Sequence, residues 1–97
     1  MPPVRFSRRA SRDLVRLHEF LEAQSPEAAQ RAVDAILQGL MRLEQFPALG
    51  RPVLNVSSEF REWIVEFGSG AYIVRYRVTQ SEVVIVAVRH GREAGCL

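Results

Sequence analysis

Arginine side chains and one histidine come close together near the end of this sequence. Arg75 and Arg77 alternate with apolar residues in one segment, and Arg89, His90 and Arg92 end a second apolar segment. A guanidinium group binds phosphate or carboxylate through paired N–H donors, and an imidazole exchanges a proton near neutral pH. These residue types predict a basic binding surface, although charges that are merely solvated at strand ends give the same pattern.

The sequence lacks the motifs of the common catalytic and cofactor sites. It contains no glycine-rich phosphate loop, no nucleophile elbow and no His-Glu-x-x-His segment. Its two histidines and single cysteine, Cys96, do not provide a plausible zinc site. We therefore predict neither a cofactor nor a metal.

Charge and hydropathy limit the partners and the compartment. All 13 basic residues are arginine, but acidic residues reduce the net charge to +2. A broad nucleic-acid-binding surface is usually more basic, so we expect no direct sequence-specific DNA binding. The longest apolar run, Val83 to Val88, is far shorter than a membrane span, and no signal peptide opens the chain. These features predict a cytoplasmic protein without a membrane partner.

Two amphipathic helices are predicted in the first half of the chain. Ser7 and Ser25 are suitable N-cap residues, and Pro26 suits the first helical position. Apolar residues then recur at spacings of three and four, as Ala10, Leu14, Leu17 and Leu21, and as Ala29, Val33, Ile36, Leu40 and Leu43. Because the link between the helices is short, they must form an antiparallel hairpin.

The second half predicts an antiparallel sheet. Strands are expected at Phe60–Phe67, Ala71–Val78 and Val83–Arg89, with a turn at Gly68-Ser69-Gly70, and a short strand at Val4–Phe6 precedes the helices. Alternation places the aromatic side of Ala71–Val78 against the helices and its arginines on the solvated face. The fold class is therefore α+β, with a strand, a helical hairpin and a three-stranded antiparallel meander, in one domain covering residues 1–97.

The chain resembles the RelE/ParE superfamily of toxins from type II toxin–antitoxin pairs, and the ParE branch most closely. The matching segments occur in the family's order along almost the whole chain. They are Phe6-Ser7-Arg8-Arg9-Ala10, Asp13-Leu14, Ser25-Pro26-Glu27-Ala28-Ala29, Phe46-Pro47-Ala48-Leu49-Gly50-Arg51-Pro52, Arg61-Glu62, Tyr72-Ile73-Val74-Arg75-Tyr76-Arg77-Val78 and Val86-Ala87-Val88-Arg89-His90-Gly91-Arg92.

This resemblance implies a cognate antitoxin, a ParD-like protein that in this branch is usually of the ribbon-helix-helix type, and DNA gyrase as the target. The alternative within the superfamily is a RelE-like endoribonuclease that cuts mRNA on the ribosome. In that alternative, Arg61, Arg75 and Arg77 would stabilise phosphate charge, and His90 would be the proton acceptor. The chain has no lysine and no C-terminal tyrosine, so the resemblance favours the ParE-like inhibitor. A homodimer is compatible with the many apolar positions.

Two surfaces follow as hypotheses. The target-binding group is expected to comprise Arg75, Arg77, Arg89, His90 and Arg92. The antitoxin is expected to contact Arg12, Arg16 and Glu19 on the exposed side of the first helix, together with Trp63. We expect Arg51 to be structural and to tie its turn to the helix ends.

Overall fold

The computed structural model describes residues 3–67 and 70–91. Two helices and five strands follow one another as β1 (Val4–Phe6), α1 (Arg8–Glu22), α2 (Pro26–Gln45), β2 (Arg51–Pro52), β3 (Phe60–Phe67), β4 (Gly70–Val78) and β5 (Val83–His90). The predicted α+β architecture is confirmed, and β2 is an additional strand that was not among the predicted ones. Gly68 and Ser69 of the predicted turn, as well as Arg92 and Cys96, lie outside the described residues.

Serine side chains fix the start of both helices. The Ser7 hydroxyl accepts a hydrogen bond from the Ala10 backbone N–H at 3.0 Å, and the Ser25 hydroxyl accepts one from the Ala28 N–H at 3.2 Å. Each bond satisfies a donor that has no partner within its own helix. The short link between these fixed ends turns the chain back, and α2 packs along α1.

The five strands form one mixed sheet in the order β1-β5-β4-β3-β2. The predicted meander, β3 to β5, is antiparallel, whereas β1 pairs with β5 in parallel at the edge. The helices cover one face of this sheet, with α1 against β5 and α2 against β3. As predicted, Tyr72, Val74 and Tyr76 of β4 are buried on that face.

A β-bulge interrupts the pairing of β4 with β5. Arg75 pairs with Ala87 and Tyr76 pairs with Ile85, so Val86 is the extra residue. The bulge shifts the side-chain alternation of β5 by one residue. Val83, Ile85 and Val88 can therefore all be buried against the helices, while Ala87 and Arg89 lie on the opposite side.

The N-terminal part of α1 holds this bulge in place. The Ser7 hydroxyl donates to the Val86 carbonyl at 3.0 Å, and the Val88 backbone N–H donates to the Asp13 carboxylate at 3.0 Å. β1 ends at Phe6, so it does not pair with Val86 or Val88 of β5. The side chains of Ser7 and Asp13 bind the backbone groups of these two residues in place of a neighbouring strand. Arg9 and Arg16 lie 3.8 and 3.7 Å from the same carboxylate.

An ion pair connects β1 to the β4–β5 turn and should make stability depend on pH. Arg5 Nε donates to Glu82 at 2.8 Å, and this bond lowers the pKa of Glu82 below its ordinary value of 4.5. A carboxylate with a lowered pKa adds stability above its unfolded-state pKa and loses it as the pH falls through the folded-state pKa. In urea unfolding at a series of pH values, the wild-type free energy should therefore fall more below pH 4.5 than that of Glu82→Gln. Equal slopes for the two proteins would contradict the assignment.

Candidate functional site

The face of the sheet opposite the helices carries most of the predicted target-binding residues, and we call it the open face. Residues that pair across antiparallel strands lie on the same side of a sheet. The registers of Glu62 with Arg75, of Arg75 with Ala87, and of Ile73 with Arg89 therefore place these side chains together. The open face comprises Arg5, Arg51, Phe60, Glu62, Ile64, Glu66, Ala71, Ile73, Arg75, Arg77, Val84, Ala87 and Arg89.

Arg75 lies on the predicted face, but its guanidinium is not solvated as expected. Arg75 Nη2 donates to Glu62 at 3.1 Å, and only 19% of the Arg75 side chain is exposed. Arg51 approaches the other oxygen of the same carboxylate at 3.6 Å. Glu62 therefore balances two arginines and holds the Arg75 guanidinium against the sheet, because the β3–β4 register sets the two residues opposite each other.

Arg77 and Arg89 occupy opposite ends of the open face. Arg77 is exposed and lies 3.7 Å from Glu59. Arg89 is half-buried, and among residues 3–67 and 70–91 its Nε–H has no hydrogen-bond partner. The same is true of the Arg75 Nε–H. The predicted solvation of the arginines on this face is thus confirmed for Arg77 but wrong for Arg75.

His90 lies on the opposite side of the sheet from these arginines. It pairs with Tyr72 on the helix-covered face, where the two rings meet edge to face with centroids 5.3 Å apart. The structure therefore brings Arg75, Arg77 and Arg89 onto one face and separates His90 from them. Arg92, the fifth member of the predicted group, is outside the described residues.

The turn after α2 is held by two residues of the sheet. The Tyr76 hydroxyl donates to the Pro47 carbonyl at 2.8 Å and accepts from the Gly50 N–H at 2.7 Å. Arg61 Nη1 donates to the carbonyls of Ala48 and Gly50 at 3.2 and 2.6 Å. Burial raises the pKa of Tyr76, despite the Gly50 hydrogen bond and the nearby Arg61 charge, so the phenol stays neutral.

This arrangement corrects the expected role of Arg51. We expected Arg51 to tie the turn to the helix ends, but Arg61 and Tyr76 bind the carbonyls of the turn, while the Arg51 side chain is 64% exposed beside Glu62. For Arg61, the sequence suggested only a family match and a phosphate-stabilising role in the RelE-like alternative, so its bonds to the turn were not predicted. The contact of Tyr76 with the turn could have been predicted from the sequence, because Tyr76 lies on the buried side of β4 and a buried tyrosine hydroxyl needs a hydrogen-bond partner.

Three of the four residues predicted to bind the antitoxin share a second site, which we call the α1 groove. Arg12, Arg16 and Glu19, together with Ser11 and Val15, line a shallow depression of about 290 Å³. Val15 is 58% exposed, and sequence reasoning missed it. Val15 could have been recognised from the sequence, because it is an apolar residue that lies outside the apolar stripe of Ala10, Leu14, Leu17 and Leu21.

Trp63 does not belong to the α1 groove. It lies on the helix-covered face of β3 and packs against the core beneath α2, where a β-carbon added to Gly39 would be 2.9 Å from Trp63 Nε1. Small size at Gly39 is what lets the indole approach the helix. The expected antitoxin contacts are therefore divided between two separate regions.

Metal-binding groups and membrane-spanning helices are both absent from the described residues. Within residues 3–67 and 70–91, no group of three or more His, Cys, Asp or Glu side chains is placed to hold a metal ion. In the same part of the chain, no helix is both long and apolar enough to cross a membrane.

Comparison with known proteins identifies the family. Residues 4–95 match the family model described as the ParE toxin of the type II toxin–antitoxin system parDE. Toxin RelE3 of Caulobacter vibrioides is 41% identical over 93 residues, which cover 96% of this chain and 98% of that protein. Toxin RelE1 of the same organism is 37% identical over 90 residues, covering 93% and 94% of the two chains.

A solved structure shares the fold. The chromosomal ParDE toxin–antitoxin system of P. aeruginosa contains a chain that superposes with a TM-score of 0.75 at 22% identity, over 93% of this chain and 96% of that one. The order of strand, helical hairpin and sheet is therefore that of a known toxin–antitoxin structure. From the family match across nearly its full length, the chain belongs to the ParE toxins of type II toxin–antitoxin systems, within the RelE/ParE superfamily.

Proposed function

We propose that this chain, acting as one domain in the cytoplasm, is a growth-inhibiting toxin that inhibits DNA gyrase by binding it and is neutralised by a cognate antitoxin. The observation that carries the proposal is the arrangement of the basic residues. Arg75, Arg77 and Arg89 share the open face, whereas His90 lies on the other side of the sheet. A surface of this kind suits binding to a protein.

The same arrangement is unfavourable for RNA cleavage. Attack by a 2′-hydroxyl needs a proton acceptor and a charge-stabilising group on the same side of the substrate. Arg61 already donates to two backbone carbonyls, and Arg75 already binds Glu62. Using them on phosphate would leave those acceptors unpaired, and His90 lies on the opposite side of the sheet from Arg75.

A supercoiling assay tests the proposal. Purified toxin added to gyrase, ATP and relaxed plasmid should prevent supercoiling or trap cleaved DNA, and the purified antitoxin should reverse the effect. A parallel reaction with ribosomes and mRNA should leave the message intact. Unchanged supercoiling at a large molar excess of toxin would contradict the proposal.

We propose that the antitoxin, of the ribbon-helix-helix type, covers the α1 groove. The side chains of this groove carry positive and negative charge, since Arg12 and Arg16 lie beside Glu19, and they surround the exposed Val15. An amphipathic segment that becomes ordered on binding fits such a groove, because it can pair these charges while burying the apolar residue. The homodimer with which the sequence is compatible stays a hypothesis.

The edge of β3 offers the same partner a second contact. The Phe60 carbonyl points towards β2, where it accepts a hydrogen bond from the Val53 N–H. Because the backbone groups of every second residue in a strand point to the same side, those of Ile64 and Glu66 also point to this side. The pairing with β2 ends at Glu62, so β2 does not cover them. At the other edge of the sheet, β5 is already paired with β1 and Asp13, and the edge strand β1 has only three residues with which to pair an added strand. An added antitoxin strand would therefore pair with β3.

A RelE-like mRNA endoribonuclease is the second candidate function. It is favoured by the names of the Caulobacter relatives, which are called RelE toxins. In the assay above, mRNA cut in the ribosomal A site with supercoiling unchanged would select this candidate.

A further inference from the structure

Arg89 differs from the other arginines of the open face in its bonding. Arg5 binds Glu82, Arg77 lies beside Glu59, and Arg75 and Arg51 share Glu62. Among the described residues, no carboxylate pairs with Arg89, and its Nε–H is buried without a hydrogen-bond partner. A buried donor without an acceptor is uncommon in folded proteins and indicates an unfilled interaction.

Arg75 is the nearest basic neighbour of Arg89 on this face. Arg75 pairs with Ala87 and Arg89 pairs with Ile73, so the two arginines lie diagonally across β4 and β5. Diagonal neighbours in an antiparallel sheet are roughly 7–8 Å apart, within reach of long side chains. The Arg75 Nε–H is also buried and has no hydrogen-bond partner within the described part of the chain. Ala87, which pairs with Arg75 and precedes Arg89 by two residues, has a small side chain.

The charge around this pair selects the class of ligand. Among the described residues, five arginines on the open face are balanced by four glutamates on it or at its ends, Glu59, Glu62, Glu66 and Glu82. Nucleic acid binds through many phosphate contacts and favours a surface with a large excess of positive charge. A nearly neutral face with one unpaired guanidinium instead suits a single carboxylate, which accepts two parallel N–H bonds from arginine.

We propose that Arg89, with Arg75 beside it, binds one carboxylate of a protein partner on the open face. This inference deepens the proposed function, on which it rests, because the carboxylate is supplied by an acidic side chain of the toxin's target. Turning the Arg89 guanidinium towards the partner breaks no hydrogen bond of its Nε–H. Arg75 then adds a second cation while its Nη2 keeps the bond to Glu62.

Two measurements on the full-length toxin test this inference. In the first, the Nε–Hε signals of 15N-labelled toxin are followed by NMR during titration with a short peptide that carries one glutamate. The Arg89 signal should shift and saturate. The same peptide with glutamine should give no shift, and Arg89→Gln should weaken binding at least fivefold. Tighter binding of a single-stranded RNA oligonucleotide at the same signal would overturn the inference.

The second measurement is the toxin concentration that half-inhibits supercoiling. Arg89→Gln should require at least tenfold more toxin, whereas Arg31→Gln, an exposed change on α2, should match the wild type. Both variants should keep the wild-type unfolding temperature, so that a loss of folding is recognised. If wild-type toxin inhibits gyrase and Arg89→Gln inhibits equally, the inference fails and the proposed function stands. If wild-type toxin does not inhibit gyrase, the proposed function fails and the peptide titration alone decides the inference.

Discussion

Replacing Gly50 with alanine is expected to lower the free energy of unfolding by about 3 kcal/mol, near the upper end of typical overpacking costs. Gly50 is buried, and a β-carbon there would lie 2.6 Å from both the Glu62 backbone carbonyl and the Tyr76 hydroxyl. The first contact cannot be relieved without moving β3. Moving Tyr76 would break its bonds to Pro47 and to the Gly50 N–H.

Thermal unfolding measures this effect. For a domain of this size, each kcal/mol lowers the midpoint by roughly 4–8 °C, so the change should be large. Ala48→Ser is the matched control, since it adds one atom to an exposed side chain of the same turn, and it should stay within about 0.5 kcal/mol of the wild type. A Gly50→Ala protein as stable as this control would show that the turn does not pack against Tyr76 as described.

Replacing Asp13 with alanine should cost about 2 kcal/mol and should also loosen the arginine surface. The buried Val88 N–H would lose a charged acceptor, and bonds of that kind contribute about 1.5–3 kcal/mol. Because that bond fixes β5 beside the bulge at Val86, its loss should increase amide hydrogen exchange at Val88. It should also weaken gyrase inhibition, since the bulge places Arg89 on the open face.

Two further variants separate the hydrogen bond from general effects of the substitution. Asp13→Asn keeps an oxygen acceptor and should lose less than half as much stability as Asp13→Ala. Asp34→Ala removes an exposed aspartate that bonds only Gln30 within α2, and it should cost no more than about 0.5 kcal/mol. If Asp13→Ala behaves like Asp34→Ala, the carboxylate does not hold β5.

The helices were predictable because their signals are local. The serine caps, the Pro26 start and the apolar spacing each act within a few residues, and the observed α1 and α2 agree with them. The strands of the meander were also recognisable from β-branched and aromatic runs. By contrast, β2 has only two residues and depends on pairing with β3, so no local pattern marks it.

The geometry of the site was less predictable because it depends on register. The run from Val83 to Val88 is apolar throughout, so alternation alone does not reveal the bulge at Val86. Unbroken alternation from the buried Val83 would put Arg89 on the helix side and His90 on the open face, the reverse of what is observed. Likewise, the pairing of Arg75 with Glu62 follows from a cross-strand register that the sequence does not state.

Photo-crosslinking tests most directly whether the target binds the open face. A photoreactive amino acid is placed either at Ile64, which is 43% exposed on the open face, or at Val15, which is 58% exposed in the α1 groove. With purified gyrase, the Ile64 position should crosslink and the Val15 position should not, whereas with antitoxin the Val15 position should crosslink. Gyrase captured from Val15 and not from Ile64 would contradict a target-binding role for the arginine face.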